Sequence, residues 1–324
     1  MVQDAFLMDL TEVPASEILE KIKKCLPVNY DRIKILDVLD LGSLNMPTKH
    51  VHRYEDEIEV GLKEDLTVIA AHICITNSKI NGITGFSNAI FENGVSFKSS
   101  EFSGDADFKG SQFIEFADFS GSNLSGSSSF LGAKITIRDQ TIQAQRILDI
   151  IETGIGIDCE KVTVEGDLDL SKLKNVKIKN GSIFRYFEFQ YSYGFCSNGL
   201  KVIKSSLEFK NTTFIGKINF SCCQFKKDID FWICTLEKDA VFERSLFCGN
   251  VQLRRVDFQK YSLFRGSQFC KDADFGMSIF VLGPDFSSVG FKSYANFNNA
   301  EFKDFADFNG SIFNKVVSFE HAKI

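Results

Sequence analysis

Large apolar residues recur along most of this chain at intervals that neither an ordinary helix nor an ordinary strand produces. From the middle onward they fall at Phe209, Phe214, Phe220, Phe225, Phe231, Leu236, Phe242, Phe247, Leu253, Phe258 and Phe264. They continue through Phe269, Phe275, Phe280, Phe286, Phe291, Phe297, Phe302, Phe308, Phe313, Phe319 and Ile324, in alternating steps of 5 and 6 residues. An amphipathic helix spaces its apolar face by steps of about 3 and 4, and a strand by about 2. A steady 11-residue unit instead predicts a solenoid, in which the chain coils around a narrow interior and each short side contributes one rung to an inner ladder. Two residues before most rungs stands a small or β-branched side chain, among them Ala240, Ser245, Ala273, Ser278, Ala295 and Ala300. Residues i and i−2 of an extended segment share a face, so both are predicted to point inward and the residue between them outward. That outer place is taken by Asp107, Asp118, Asn219, Asp230, Asp274, Asn296 and Asp307.

The first half repeats the ladder through Ile69, Ile75, Ile80, Phe86, Phe91, Phe97, Phe102, Phe108, Phe113, Phe119, Leu124, Phe130 and Ile135. Ahead of each ladder lies a similar segment, 16–44 and 145–173, aligned without gaps at an offset of 129 residues. Ile18, Leu19 and Ile22, matched by Ile147, Leu148 and Ile151, have helical spacing, and each segment runs on to Leu-Asp-Leu. Each half is therefore predicted to read helix, strands, solenoid. The helix closes the first coil, whose apolar interior and unpaired backbone groups would otherwise meet water. The expected division is a first module over 1–138, carrying a charged loop insertion at 45–66, and a second, longer module over 139–324 opened by a linker or capping helix. The insertion is expected to protrude, as is a break in the second ladder between Leu200 and Phe209. The aromatic segment 186–195 is expected to form a contact between the modules, with a binding patch as the second reading.

The triplet Ala-Asp-Phe at 106–108, 117–119, 273–275 and 306–308 resembles the pentapeptide-repeat family, over most of 69–135 and 168–324. The resemblance implies an all-β solenoid: a right-handed quadrilateral β-helix in two stacks, four units to a coil, with short capping or linker α-helices. The extra residue in alternate units departs from the family pattern and predicts a wider corner. A three-sided hexapeptide β-helix would need an unbroken six-residue period. Phe108, Phe113, Phe119, Phe231, Phe242, Phe275, Phe280, Phe297, Phe302, Phe308 and Phe313 are the expected structural ladder.

Composition agrees, with 34 Phe against 1 Trp, 7 Tyr and 4 His. So few histidines leave little material for acid–base catalysis, and the Gly-rich 121–132 lacks the Lys-Ser/Thr of a phosphate loop, so neither an enzyme nor a cofactor is expected. His50, His52, His72 and Cys74 are the one set of metal-ligand types to weigh. They would chelate zinc if the insertion folded back onto the first coil, but chance spacing on a loop and a strand is the preferred account. Nine cysteines, mostly spaced by the repeat, predict structural thiols. Cys223 and Cys234 take the small inward place, whereas Cys222, Cys248 and Cys270 fall outside it. Neither a signal peptide nor an apolar run of about 18 residues is visible, so a cytoplasmic chain without a membrane segment is expected.

Two functions remain. One is a protein-interaction scaffold. The other, implied by the resemblance, is an acidic DNA mimic acting on a type II topoisomerase such as gyrase. Residues 209–324 hold 13 Asp and Glu against 15 Lys and Arg, while 86–135 hold 6 against 3. The longer stack is not acidic, as a basic groove would require. A scaffold with a protein partner and no directly bound nucleic acid is therefore preferred. The last rung, Ile324, offers an open coil edge, so either a homodimer through the C-terminal coil or a polypeptide that continues beyond it is expected.

Overall fold

The computed structural model describes residues 10–53, 55–114, 116–124, 128–173, 178–179, 196 and 199–324. The chain divides into two compact units, Met1–Ile137 and Arg138–Ile324. Each unit is walled by four sheets, one per side of the coil. Within the solenoid the strands are short, parallel and in register: Phe91 lies opposite Phe113, Phe247 opposite Phe269, and Phe258 opposite Phe280. Most pairings advance 22 residues, the sum of two 11-residue units, whereas those out of the first coil of each unit advance 45 or 50, as from Val28 to Ile73 and from Ile157 to Leu207.

In the second unit the rungs sort into four columns. Side one carries Phe209, Phe231, Leu253, Phe275, Phe297 and Phe319, and side two Phe214, Leu236, Phe258, Phe280 and Phe302. Side three carries Phe220, Phe242, Phe264, Phe286 and Phe308, and side four Phe225, Phe247, Phe269, Phe291 and Phe313. In the upper coils Phe rings within a column lie flat on one another: Phe275 on Phe297 at 4.8 Å and 3°, Phe264 on Phe286 at 4.8 Å and 2°. Between columns they meet edge to face, as Phe275 does with Phe264 at 89° and with Phe286 at 87°. This combines the two favourable aromatic geometries, offset stacking along the axis and T-shaped contact across it.

The two corner types explain the alternation of 5 and 6. After sides one and three the corner is short, and its second residue is left-handed even when it is not glycine, as in Ile233 (φ 60°), Arg244 (53°), Arg255 (58°) and Met277 (59°). The residue before the rung supports this turn. Asp230 Oδ1 accepts from Trp232 N, Asp274 Oδ1 from Gly276 N and Asp307 Oδ1 from Asn309 N, each at 2.8 Å. The small residue after the turn completes it. Ser278 Oγ accepts from Val256 N at 3.0 Å and donates to Leu253 O, both in the coil below. After sides two and four the corner holds one residue more and presses on its neighbour. A Cβ on Gly283 would lie 2.2 Å from Phe305 O, and one on Gly216 2.1 Å from Gly166 O.

Each unit has a helix near its start, after a short strand, Thr11–Glu12 in the first and Thr141–Gln143 in the second. In the first, α1 (Ala15–Lys23) buries Ala15, Ile18 and Ile22 and reaches the strands Val28–Asp31 and Leu39–Asp40, on opposite sides of the first coil. Leu-Asp-Leu then starts a 3-10 turn, Leu41–Ser43, capped by Asp40 accepting from Gly42 N at 2.9 Å. The insertion that follows is not the protruding loop expected from its charge. Thr48–His50 pairs antiparallel with Asp65–Ile69, protecting that sheet's edge. α2 (Glu55–Glu59) follows the hairpin's first strand, and Arg53, only 4% exposed, donates from Nη2 to Gly110 O at 2.7 Å and pairs with Glu57. Gly110 and Gly132 are open corners against which Leu62 packs: a Cβ at Gly132 would sit 2.2 Å from Leu62 Cδ1.

In the second unit α3 (Ala144–Thr153) likewise buries Ile147, Leu148 and Ile151 and reaches the strands Gly156–Glu160 and Leu168–Asp169. Asp169 caps the turn Leu170–Lys172 as Asp40 caps its counterpart. The ladder does not break between Leu200 and Phe209. Ile203 is the rung, opposite Phe225 and 6 residues before Phe209. Leu200 too is fully buried. Segment 186–195 lies outside the described residues.

Candidate functional site

Because the repeat fixes every rung, side-chain chemistry is free to vary only on the outside, and there the sides of the second unit differ. On side one the residue before the rung reads Asp158, Glu208, Asp230, Gln252, Asp274, Asn296 and Ser318 in successive coils. This acidic row is partly neutralised from within. Arg138 pairs with Asp158 at 2.7 Å and with Glu160 at 3.3 Å, and Lys210 with Glu208 at 3.5 Å. Burial pushes the Asp230 carboxyl above its ordinary range, while the Trp232 amide and Lys210 pull it back. Side four carries no carboxylate in the corresponding places. Gln224, Leu246, Gln268, Gly290 and Ile312 precede its rungs, and Lys226, Cys248, Cys270 and Lys292 follow them. Exposed aromatic residues sit at corners: Trp232, Tyr261, Tyr294 and Phe305.

The expected ladder residues Phe108, Phe113, Phe119, Phe231, Phe242, Phe275, Phe280, Phe297 and Phe302 are buried, and Phe308 and Phe313, in the last coil, are half-buried. The four weighed metal ligands are not brought together. His50 lies in the hairpin against Asp65 at 3.1 Å. His72 accompanies a different side and contacts Asn93 O at 2.8 Å, and Cys74 is half-buried on the next strand. Among the described residues no three His, Cys, Asp or Glu side chains converge on a common point.

Cys223 and Cys234 are interior, as is Cys159; burial pushes the thiols of Cys159 and Cys223 up to about 12. Cys234 also does the work of the small serine, its Sγ donating to Phe209 O at 3.0 Å. Cys222 is not a thiol: it forms a disulfide with Cys196, with Cα atoms 5.8 Å apart. Sequence spacing hid this pair because Cys196 falls outside the steps of 5 and 6 and has no repeat position to betray it. Among the described residues no helix is long and apolar enough to cross a membrane.

The family model for pentapeptide repeats, in 9 copies, matches residues 86–134. No curated protein and no solved structure matches the chain. The matched stretch holds the inward Ala106, the capping Asp107 and Asp118 and the bridging Ser111. Ala273, Asp274 and Ser278 repeat those three roles in the second unit. The chain carries pentapeptide repeats, and its solenoid is a four-sided β-helix.

Proposed function

We propose that this chain is a non-catalytic interaction scaffold that presents rows of side chains to a protein partner. The observation that carries this reading is the side-specific chemistry of the second unit, acidic along side one and free of carboxylates along side four, on walls whose spacing is fixed by coil-to-coil pairing. A DNA mimic of the topoisomerase-inhibiting kind is the alternative, favoured by the row Asp158, Glu208, Asp230 and Asp274. That row is compensated by Arg138 and Lys210 and interrupted at Gln252, so its field is weak where mimicry needs it strong.

The test uses the intact chain, the charge-removing double variant Asp230→Asn, Asp274→Asn, which keeps both corner caps, and the core-broken Phe275→Ala, Phe297→Ala as capture baits. A partner held by the intact chain and lost from one surface variant with an unchanged melting profile supports the scaffold. Inhibition of DNA supercoiling by purified type II topoisomerase, abolished by the same surface variant, would replace it with mimicry.

A further inference from the structure

On side four of the second unit the residue after the rung reads Lys226, Cys248, Cys270 and Lys292 in successive coils. The strands are parallel and in register, with Phe247 opposite Phe269. The next residues are pinned by their own amides: Cys248 N donates to Phe225 O and Cys270 N to Phe247 O, both at 2.9 Å. The two cysteines thus hold equivalent outward places one coil apart. Their side chains meet in a hydrogen bond, and Cys248 Sγ accepts from Gln224 Nε2, one coil below, at 3.5 Å. Both are half-buried, held yet reachable, unlike interior Cys223 and Cys234. The lysines on either side show that nothing in the packing of this row demands a small sulfur side chain.

Adjacent strands of a sheet are spaced by about 4.8 Å. A disulfide needs Cβ atoms about 3.8 Å apart, so closing one here would pull two coils together against their hydrogen bonds. Two metal–thiolate bonds of about 2.3 Å each, placed end to end, span about 4.6 Å and fit the spacing as it stands. Zinc requires about four ligands, and among the described residues no third His, Cys, Asp or Glu joins the pair. Soft thiolates select Cu(I), which accepts two ligands in line.

We propose that Cys248 and Cys270 form a two-thiolate site for a soft monovalent cation of the Cu(I) class. Binding releases both thiol protons to solvent, involves no change of oxidation state, and leaves a sulfur–metal–sulfur unit of net charge minus one. Lys226 and Lys292, the coils below and above, oppose that charge.

The experiment is titration of the protein with Cu(I) against a chromophoric Cu(I) chelator, under ascorbate, which leaves the Cys196–Cys222 disulfide closed. The intact chain retains one equivalent, Cys248→Ser and Cys270→Ser each abolish it, and Cys25→Ser and Cys74→Ser do not. Lys226→Ala with Lys292→Ala weakens it several-fold. X-ray absorption of the loaded protein shows two sulfur neighbours. Thermal melting confirms that the near-isosteric serine variants fold. Retention of the equivalent by both serine variants, or three or more sulfur neighbours, overturns the proposal.

Discussion

The upper coils of the second unit and the coils of the first solve one packing problem with different residues. From Phe258 to Phe319 every rung phenylalanine has a phenylalanine at the same place in an adjacent coil, and the rings stack at 4.8–5.0 Å with planes within 7°. In the first unit the columns are mixed. Phe97 stands over Ile75 and meets Phe119 at 5.7 Å and 26°, and Phe86 stands over Leu41 and meets Phe108 at 5.7 Å and 90°. In-register parallel pairing is the same in both, so register alone does not set ring tilt. Nor does the residue beneath a ring, since Phe225 stands over Ile203 and Phe258 over Leu236, yet each lies within 7° of the next ring in its column.

The largest expected effect is that of Phe275→Ala, whose ring touches rings in all directions; the void should cost about 3–5 kcal/mol by denaturant unfolding. Phe97→Ala should fall at the lower end of that range, because its tilted neighbours can relax into the space, and equal losses would break the comparison. Next comes Ser278→Ala, which strands Val256 N and Leu253 O inside the wall and should cost about 1–3 kcal/mol. Phe286→Leu, which introduces into a uniform column the mixture native to the first unit, should cost about 1–1.5 kcal/mol from lost ring contacts with Phe264 and Phe308. Smallest is Asp230→Asn. Its carboxyl is raised in the fold, so the stability it contributes is present at low pH and lost as pH rises through the folded value. The neutral amide keeps the cap to Trp232 N, so melting at pH 7 should rise slightly, and the gain should vanish as the buffer is taken below the carboxylate range.

The ladder was legible because a rung has one acceptable chemistry and recurs at a fixed step. The outward Asp was legible as a position but not as a device. That Asp274 holds a left-handed corner at Met277 through the Gly276 amide depends on backbone angles that no apolar pattern encodes. Ser278 was seen as small, and its bridge to the coil below was not. The insertion at 45–66 was read as a loop because its charges suggested solvent, whereas Arg53 spends its charge inside, on Glu57 and Gly110 O. Ile203 was passed over for Leu200 because two buried residues competed for one rung. The Cys248 and Cys270 pair could have been found from their 22-residue separation alone, since that step is what places two residues side by side.

Strand pairing that reaches 22 residues throughout the upper coils has a consequence for how such a chain can change over generations. Deleting or duplicating a block of 22 residues there removes or adds one storey and leaves every remaining storey in register, rung over rung. A single-residue deletion turns the inward set of its coil outward. Height is thus the dimension in which this molecule can be edited in whole floors, and unequal crossing-over between near-identical repeats is a natural way to edit it.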